Sequence, residues 1–210
     1  MVRRTKEDAE ATRNLLLDAA ESVFNEKGVA RTSLSEIAAA AGLTRGAIYW
    51  HFKNKADLFH AMLERVKMPI DEMIDRLNAE QIATPLSFLQ TSAVTVLKHV
   101  AADAQTRRVF DIVNHKCELV DEMAVARERQ LESRAGCLEQ IEQSIQSAID
   151  QNCLPKTLNA RVAAIGMHAL IDGLISSWIL NPESFSLSKE AEQLVHTYLA
   201  GLKTPRIIPS

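Results

Sequence analysis

A tight glycine turn between two short helical segments constrains the fold of this chain more than any other feature. Ser33 and Glu36 have the spacing of a capping box, in which each side chain accepts a hydrogen bond from the backbone amide of the other. This pattern predicts a helix that starts near Leu34. Gly42 then supplies a left-handed residue at which the helix ends and the chain turns sharply. A second helix directly after such a turn is typical of a helix-turn-helix motif, here at about residues 33–52.

The second helix of the motif has one buried face and one open face. Thr44 is a suitable N-cap for it. Ala47 and Ile48 face back toward Ile37 of the first helix. The open face combines a basic group, two aromatic rings and a position without a side chain: Arg45, Tyr49, Trp50 and Gly46. Such groups on a short helix suit the phosphates and base edges of DNA.

The distribution of charge supports this interpretation, although the whole chain has a net charge of -3. Residues 1–67 carry a net charge of +2, and the remaining residues carry -5. Residues 37–56 include no acid, whereas Arg45, Lys53 and Lys55 are basic. DNA phosphates would therefore meet only cations along the second helix, and the amino-terminal end is the candidate DNA-binding end.

Composition favours an all-α fold. The chain has 210 residues, 47% of them hydrophobic, which is enough for a sizeable core. There is no sustained alternation of apolar and polar residues, and long runs of Ala, Leu, Glu, Gln and Arg favour helices. Charged residues crowd positions 3–8, so we expect no signal peptide and a cytoplasmic protein. Three cysteines without CxxC spacing are expected to remain thiols: Cys117, Cys137 and Cys153.

Start and stop signals place the helices around the motif. The first helix should end at Lys27, with Gly28 as its terminator. Asn54 can cap a fourth helix, which should end near Met68-Pro69 and connect two domains.

The remaining helices follow from similar signals. After a loop at about 78–84, Thr84-Pro85 reads as a cap and first residue of a fifth helix that runs to about Ala102. Further helices are predicted at about Thr106–Asn114, Asp121–Gln151, Asn159–Leu180 and Ser188–Leu202.

The segment from Asn159 to Leu180 is apolar on nearly every face and almost long enough to span a membrane. Asp172 near its centre would be costly in lipid, whereas protein neighbours can give its carboxylate a hydrogen-bond partner. We therefore expect a buried helix in a water-soluble domain, and no contact with a membrane.

The amino-terminal third closely resembles the DNA-binding domain of TetR-type repressors in the stretches LLLDAAESVFNEKGVARTS and TSLSEIAAAAGLTRGAIYWHFKNKADLF. It is most similar to the AcrR-like branch, the repressors of multidrug efflux pump operons, through TKEDAEATR, TRGAIYWHFKNKADLF and NHKCELVDEMAVAR. The resemblance implies an all-helical homodimer that represses transcription until a small apolar or cationic molecule binds. The implied regions are a helix-turn-helix DNA-binding domain at 1–54, a connecting helix at 55–68, a ligand-binding and dimerisation domain at 69–203, and a C-terminal tail at 204–210.

The resemblance also implies a four-helix dimer interface, formed by the helices near 159–180 and 188–202 of two subunits. The second helix of the motif is the recognition helix, which enters the DNA groove. The recognition helices of the two subunits must then lie about 34 Å apart, or a multiple of that distance, to enter successive major grooves. We therefore expect a palindromic operator in double-stranded DNA. The alternative within regulation is a repressor of a metabolic operon that senses one metabolite. Outside regulation, the alternatives are a helical enzyme that binds a small molecule and a scaffold that only dimerises.

Individual roles follow for the candidate DNA contacts. Arg45 is the expected base reader, because a guanidinium can donate twice to guanine. Tyr49, Lys53 and Lys55 are expected to contact phosphates, and Thr44 helps at the start of the helix. The alternative is an ordinary solvated helix end whose two aromatic rings fold into a small core. The full set of expected contacts is Ser33, Thr44, Arg45, Gly46, Ala47, Tyr49, Trp50, His51, Lys53 and Lys55.

A polar stripe on the apolar helix suggests a ligand site. Asp172 and His168 are four residues apart, and Ser176 continues the same face. These residues can line a pocket, or they can be satisfied polar groups of the dimer interface, and spacing gives both interpretations equal weight. The family resemblance favours the pocket. The expected ligand-binding residues are Val96, Phe110, Asn114, Cys137, Ile141, Met167, His168, Asp172 and Ser176.

Catalytic and metal-binding patterns are weak in this sequence. His115 and Cys117 point in nearly opposite directions on a helix and cannot easily hold one ion. No Ser/His/Asp set, glycine-rich phosphate loop or carboxylate pair stands near a recognisable catalytic motif. We therefore expect no metal, no cofactor and no enzymatic activity.

Overall fold

The computed structural model describes residues 6–79, 84–118 and 121–204. The regular elements within these ranges are all helical, which confirms the predicted all-α fold. Arg3, Arg4 and residues 205–210 of the predicted tail lie outside the described residues. A 3₁₀ turn, Asp121–Met123, precedes α7. The α-helices are α1 Lys6–Lys27, α2 Leu34–Ala40, α3 Arg45–His51, α4 Lys55–Ala79, α5 Pro85–Ala102, α6 Ala104–His115, α7 Ala124–Asp150, α8 Ala160–Leu180 and α9 Leu187–Leu202.

Capping side chains fix where several helices begin, and the caps at Ser33, Thr44 and Thr84 are those that the sequence predicts. In each case a side-chain oxygen accepts from the backbone amide three residues later, which satisfies an amide that has no partner within the helix. The capping residues are Ser33 for α2, Thr44 for α3, Thr84 for α5 and Asn159 for α8.

The helix-turn-helix has the predicted local geometry. The amide of Ser33 donates to Glu36 Oε2 at 2.8 Å, and the amide of Glu36 donates to Ser33 Oγ at 3.3 Å, which completes the capping box. Gly42 has φ +69°, the left-handed conformation that the sharp turn requires. The amide of Leu43 then donates back to the Ala38 carbonyl at 2.8 Å and closes the turn.

The chain divides into two compact units, unit 1 with residues 1–67 and 108–131, and unit 2 with residues 68–107 and 132–210. This differs from the predicted contiguous domain at 69–203. The physical reason is that α6 and the 3₁₀ turn before α7 place Val109, Ile112 and Met123 in the same buried core as α1 and α4.

Helix α4 was expected to end near Met68-Pro69, and this prediction is wrong. The helix continues through Pro69 to Ala79. Pro69 removes only its own amide hydrogen bond, and the helix beyond it buries Ile70. The predicted loop at 78–84 therefore begins later, and residues 80–83 lie outside the described residues.

The core of unit 1 joins buried residues of α1, α2, α3 and α4 in one cluster. Phe24, Ile48 and Phe59 are completely buried, and the Phe24 and Phe59 rings meet edge to face at 6.4 Å. Burying each such side chain contributes roughly 1.5–3 kcal/mol. Glu21 is also buried, and Arg65 of α4 and Arg108 of α6 pair with its carboxylate.

In unit 2, α5 packs against α8 and α9. The hydroxyl of Tyr198 on α9 donates to the carbonyl of Ala163 on α8 at 2.6 Å. A Cβ at Gly166 would clash with that hydroxyl oxygen, so glycine permits this close approach. Lys98 of α5 and Glu192 of α9 form an exposed ion pair at 2.7 Å.

Candidate DNA-binding surface and effector region

Helix α3 presents its two aromatic rings to solvent. Trp50 is 72% exposed and Tyr49 is 48% exposed, whereas Ile48 between the core helices is fully buried. The Arg45 guanidinium lies over the Tyr49 ring, 5.4 Å from its centroid. The alternative in which both rings fold into a small core is therefore wrong.

A cleft of about 540 Å³ lies between the turn at residues 30–34 and the C-terminal end of α3. It brings together four of the predicted DNA contacts, Ser33, Tyr49, Lys53 and Lys55. Arg31 also lines the cleft and is exposed, although the sequence prediction did not include it. The sequence signal that could have indicated Arg31 as a DNA contact is its position two residues before Ser33, the cap of α2.

Lys55 contradicts its predicted role as a phosphate contact. Its side chain is only 5% exposed. The ammonium donates to the carbonyls of Val29 and Thr32, each at 2.9 Å, and lies 2.5 Å from a carboxylate oxygen of Glu122. These partners use the three donors of the ammonium, so Lys55 is a buried structural cation and offers nothing to DNA.

The other predicted contacts differ in exposure. Gly46 and Thr44 are exposed, and Ala47 is half-buried. His51 is half-buried, with its ring perpendicular to that of Trp50 and 4.5 Å away. His51 therefore packs beside the exposed ring and presents less surface than Trp50.

Glu36 lines the cleft, but its carboxylate is held in the capping box. Hydrogen bonds from the Ser33 amide and hydroxyl, followed by the Lys27 ammonium at 3.3 Å, lower the pKa of Glu36. The acid therefore stays ionised and engaged with its neighbours at neutral pH.

The nine predicted ligand-binding residues do not belong to one unit. Phe110 and Asn114 belong to unit 1, and the other seven belong to unit 2. Within unit 2, Met167 is buried, whereas Val96, Cys137, Ile141 and Ser176 are partly buried.

The polar stripe on α8 is engaged in an ion pair that the sequence did not reveal. Arg134 of α7 donates to the carboxylate of Asp172 at 2.8 Å, and His168 Nδ1 lies 3.5 Å from the same oxygen. Arg134 could not be found by helical spacing, because its partner is on another helix. Asp172 is therefore not a free anion.

The described cysteines are thiols, as predicted. Burial raises the pKa of the Cys117 thiol to about 11, so this thiol stays protonated at neutral pH. His115 pairs with Asp111 at 3.0 Å instead of with Cys117. No group of three or more His, Cys, Asp or Glu residues suited to a metal ion occurs in the described part of the chain.

Helix α8 is long and apolar enough to cross a membrane by length and composition alone. It packs against α5 and α9, and it carries the ion-paired Asp172. Only part of its surface is covered by its own chain. Val162, Ile165 and Leu180 remain 61%, 49% and 74% exposed.

The capped helix-turn-helix, with aromatic and basic groups on its exposed second helix, defines a DNA-binding regulator. Residues 16–62 match the profile described as bacterial regulatory proteins of the tetR family, and residues 84–204 match the MAATS-type transcriptional repressor, C-terminal region. The chain belongs to the TetR family of bacterial transcriptional regulators. The predicted family is thereby confirmed, and the protein is a transcriptional repressor that binds operator DNA as a dimer, not an enzyme.

Similar proteins extend over nearly the whole chain. The transcriptional regulator AcrR of Shigella flexneri is 43% identical over 198 residues, which cover 93% of this chain and 91% of that protein. A similar solved structure is the crystal structure of NalD, the secondary repressor of the MexAB-OprM multidrug efflux pump in Pseudomonas aeruginosa. It matches this chain with a TM-score of 0.86 and 37% identity, and the match covers 96% of this chain and 100% of the NalD chain.

A third similar structure contains a small molecule. It is a complex of triclosan with SmeT, the repressor of the Stenotrophomonas maltophilia multidrug efflux pump SmeDEF. Its TM-score is 0.79 at 32% identity, over 95% of this chain and 98% of that chain.

Proposed function

We propose that this protein represses, in the cytoplasm, an operon that encodes a multidrug efflux pump and leaves its operator when a small apolar molecule binds to unit 2. The observation that carries this proposal is the similarity to NalD over almost the full length of both chains. Similarity that includes the C-terminal helices supports a shared mode of regulation as well as shared DNA binding. The SmeT complex supports an apolar aromatic effector.

In the proposed complex, α3 enters the major groove with its exposed face toward the bases. Arg45 reads guanine, and Trp50 packs against the groove beside it. Tyr49, Lys53 and Ser33 hold phosphates from the two walls of the cleft. The proposed DNA contacts also include Thr44, Gly46, Ala47 and His51. Lys55 is not among them, because its side chain is buried.

The exposed apolar side of α8 supports the proposed dimer interface. Val162, Ile165 and Leu180 are spaced along one side of the helix, and α9 packs next to it. An apolar stripe of this kind is stabilised when a second copy covers it. The paired subunits would then present two α3 helices about 34 Å apart to a palindromic operator.

The ion pair of Asp172 favours an apolar effector over a cationic one. A cationic ligand would have to displace the Arg134 guanidinium, which already lies 2.8 Å from the carboxylate. An apolar ligand needs only the hydrophobic walls and few polar groups. We propose that the seven predicted residues of unit 2 line this site: Val96, Cys137, Ile141, Met167, His168, Asp172 and Ser176.

The test uses the purified dimer and fluorescently labelled duplexes tiled across the promoter beside the gene. We expect tight, salt-dependent binding to one palindromic duplex and at least about 1,000-fold weaker binding to its scrambled version. Triclosan should weaken operator binding, and by linkage the operator should weaken triclosan binding by the same factor.

Two results would overturn the proposal. One is equal affinity for the promoter duplexes and their scrambled versions. The other is operator binding that neither triclosan nor other substrates of efflux pumps change, while a single metabolite releases the protein. The second result would indicate a metabolic repressor.

A further inference from the structure

The turn at residues 28–32, which connects α1 to α2, sets the position of the helix-turn-helix. Gly28 has φ +80°, and the Thr32 hydroxyl donates to the Gly28 carbonyl at 2.8 Å. The turn ends at Ser33, the cap of α2, and its residues form one wall of the cleft. A shift of the turn would therefore move this wall relative to Tyr49 on the other side.

Lys55 ties this turn to the far end of the recognition helix. It is the first residue of α4 and follows α3 after a connection of three residues, 52–54. Because its ammonium bonds the carbonyls of both Val29 and Thr32, it fixes the distance between the two walls of the cleft.

Two residues from a distant part of the sequence support the same turn, Lys116 directly and Glu122 through Lys55. The Lys116 carbonyl accepts from the Val29 amide at 3.0 Å. The Lys116 ammonium donates to the Asn25 carbonyl at 2.8 Å and to the Asn25 side-chain oxygen at 2.6 Å. Glu122 neutralises Lys55 from the other side.

We propose that Lys116 and Glu122 are positioning residues for operator binding, which hold the turn and thereby the recognition helix without reading DNA. The inference rests on the proposed DNA-binding function. Both residues lie between α6 and α7, and each of these helices continues into unit 2. The turn is thus linked to unit 2 by a second part of the chain in addition to α4.

The negative charge of Glu122 makes it possible to distinguish a positioning role from a simple electrostatic effect on DNA affinity. Glu122 is an acid at the edge of the cleft and is 63% exposed. If it acted only as a nearby negative charge, Glu122→Gln would tighten binding to every duplex. As a positioning residue, it should instead show an operator-specific loss.

The experiment compares Glu122→Gln and Lys116→Met with Glu192→Gln and Lys98→Met, which make the same chemical changes in the exposed pair of unit 2. We expect Glu122→Gln to weaken operator binding about tenfold at fixed salt, while binding to the scrambled duplex is unchanged or tighter. Lys116→Met keeps the backbone bond to Val29 but removes the two side-chain bonds to Asn25 at the end of α1, so it should also reduce the ratio of the two affinities. The two controls should preserve this ratio. Tighter binding of Glu122→Gln to both duplexes would overturn the proposal.

Hydrogen exchange tests the turn without DNA. In both Glu122→Gln and Lys116→Met, amides in residues 25–33 should exchange at least about fivefold faster, while amides of α5 and α9 keep their protection. Unchanged exchange at 25–33 would contradict the proposed positioning role of Lys116 and Glu122. If the unmodified protein preferred no duplex, the proposed function would fail, and this measurement would still decide whether Lys116 and Glu122 hold the turn.

Discussion

At the scale of single residues, Arg45 and Lys53 allow base reading and phosphate binding to be separated. Arg45→Ala should remove about 1–3 kcal/mol of discrimination between the operator and a duplex changed at the contacted base pair. Lys53→Ala should weaken operator and scrambled duplexes by a similar factor and reduce the salt slope of log K by about 1. Fluorescence anisotropy at several salt concentrations measures both effects.

Lys189→Ala provides the control for this pair, because Lys189 is an exposed cation on α9 of unit 2. It should change neither the discrimination nor the salt slope. Equal losses on operator and scrambled duplexes for Arg45→Ala would contradict its role as a base reader.

Lys53 and Lys55 show which roles of single residues the sequence can predict. They are two positions apart and chemically identical, yet one is exposed and the other is buried under Val29 and Thr32 carbonyls. Burial of Lys55 depends on a turn more than twenty residues earlier and on Glu122 far along the chain. The Ser33–Glu36 box was predictable because both partners lie within one helical turn.

At the scale of elements, the same difference between local and distant causes explains the helix boundaries. Thr84 and Asn159 cap helices through an amide three residues away, so the starts of α5 and α8 were predictable. The end of α4 was not predictable in this way. The local rule for proline ends the helix at Pro69, whereas in the structure packing of the following residues extends the helix to Ala79.

Asp103 joins α5 to α6 and makes this junction sensitive to acid. Its carboxylate accepts from the Thr106 hydroxyl and from the Thr106 amide at 2.6 Å, and these bonds lower its pKa below the ordinary value of 3.8. Since the pKa is lower in the folded state, the stabilisation is complete well above pH 3.8 and is lost as the pH falls through the folded value. Asp103→Ala should therefore cost about 1 kcal/mol at pH 7.

Urea denaturation at several pH values between 3 and 7 checks this prediction. The difference in unfolding free energy between the unmodified protein and Asp103→Asn should be constant near neutral pH and should shrink below about pH 4. Asparagine can still accept from the amide, but it does not titrate. A difference that grows as the pH falls would show that the carboxylate of Asp103 does not prefer its ionised form in the folded protein.

At the scale of the whole molecule, the assignment of residues to units depends on packing partners. The sequence predicted one domain boundary near residue 68, because a connecting helix and a proline suggested a single crossing. In the structure, residues 108–131 return to unit 1, since Val109 and Ile112 are completely buried with the core of the DNA-binding helices. Their apolar spacing on α6 suits any core, and sequence gives no sign of which one they join.

The proposed assembly gives a prediction at this scale, because an acid placed in an apolar interface must lose its hydration. Val162 is 61% exposed on α8 in the single chain, and the proposed dimer would cover it. Val162→Glu should weaken dimerisation by at least about 2 kcal/mol per subunit, since the ionised carboxylate would find no partner there. Sedimentation velocity should then detect monomers, and operator affinity should fall sharply because one recognition helix reaches only one half-site.

Val125→Glu is the matched control, because Val125 is 51% exposed on α7 and the proposed dimer leaves it uncovered. The same substitution there should preserve both the dimer and its operator affinity, which separates loss of the interface from a general effect of added negative charge near DNA. If Val162→Glu sedimented as a dimer and bound the palindrome as tightly as Val125→Glu, the exposed side of α8 would have to serve another purpose. The subunits would then have to pair through a different surface.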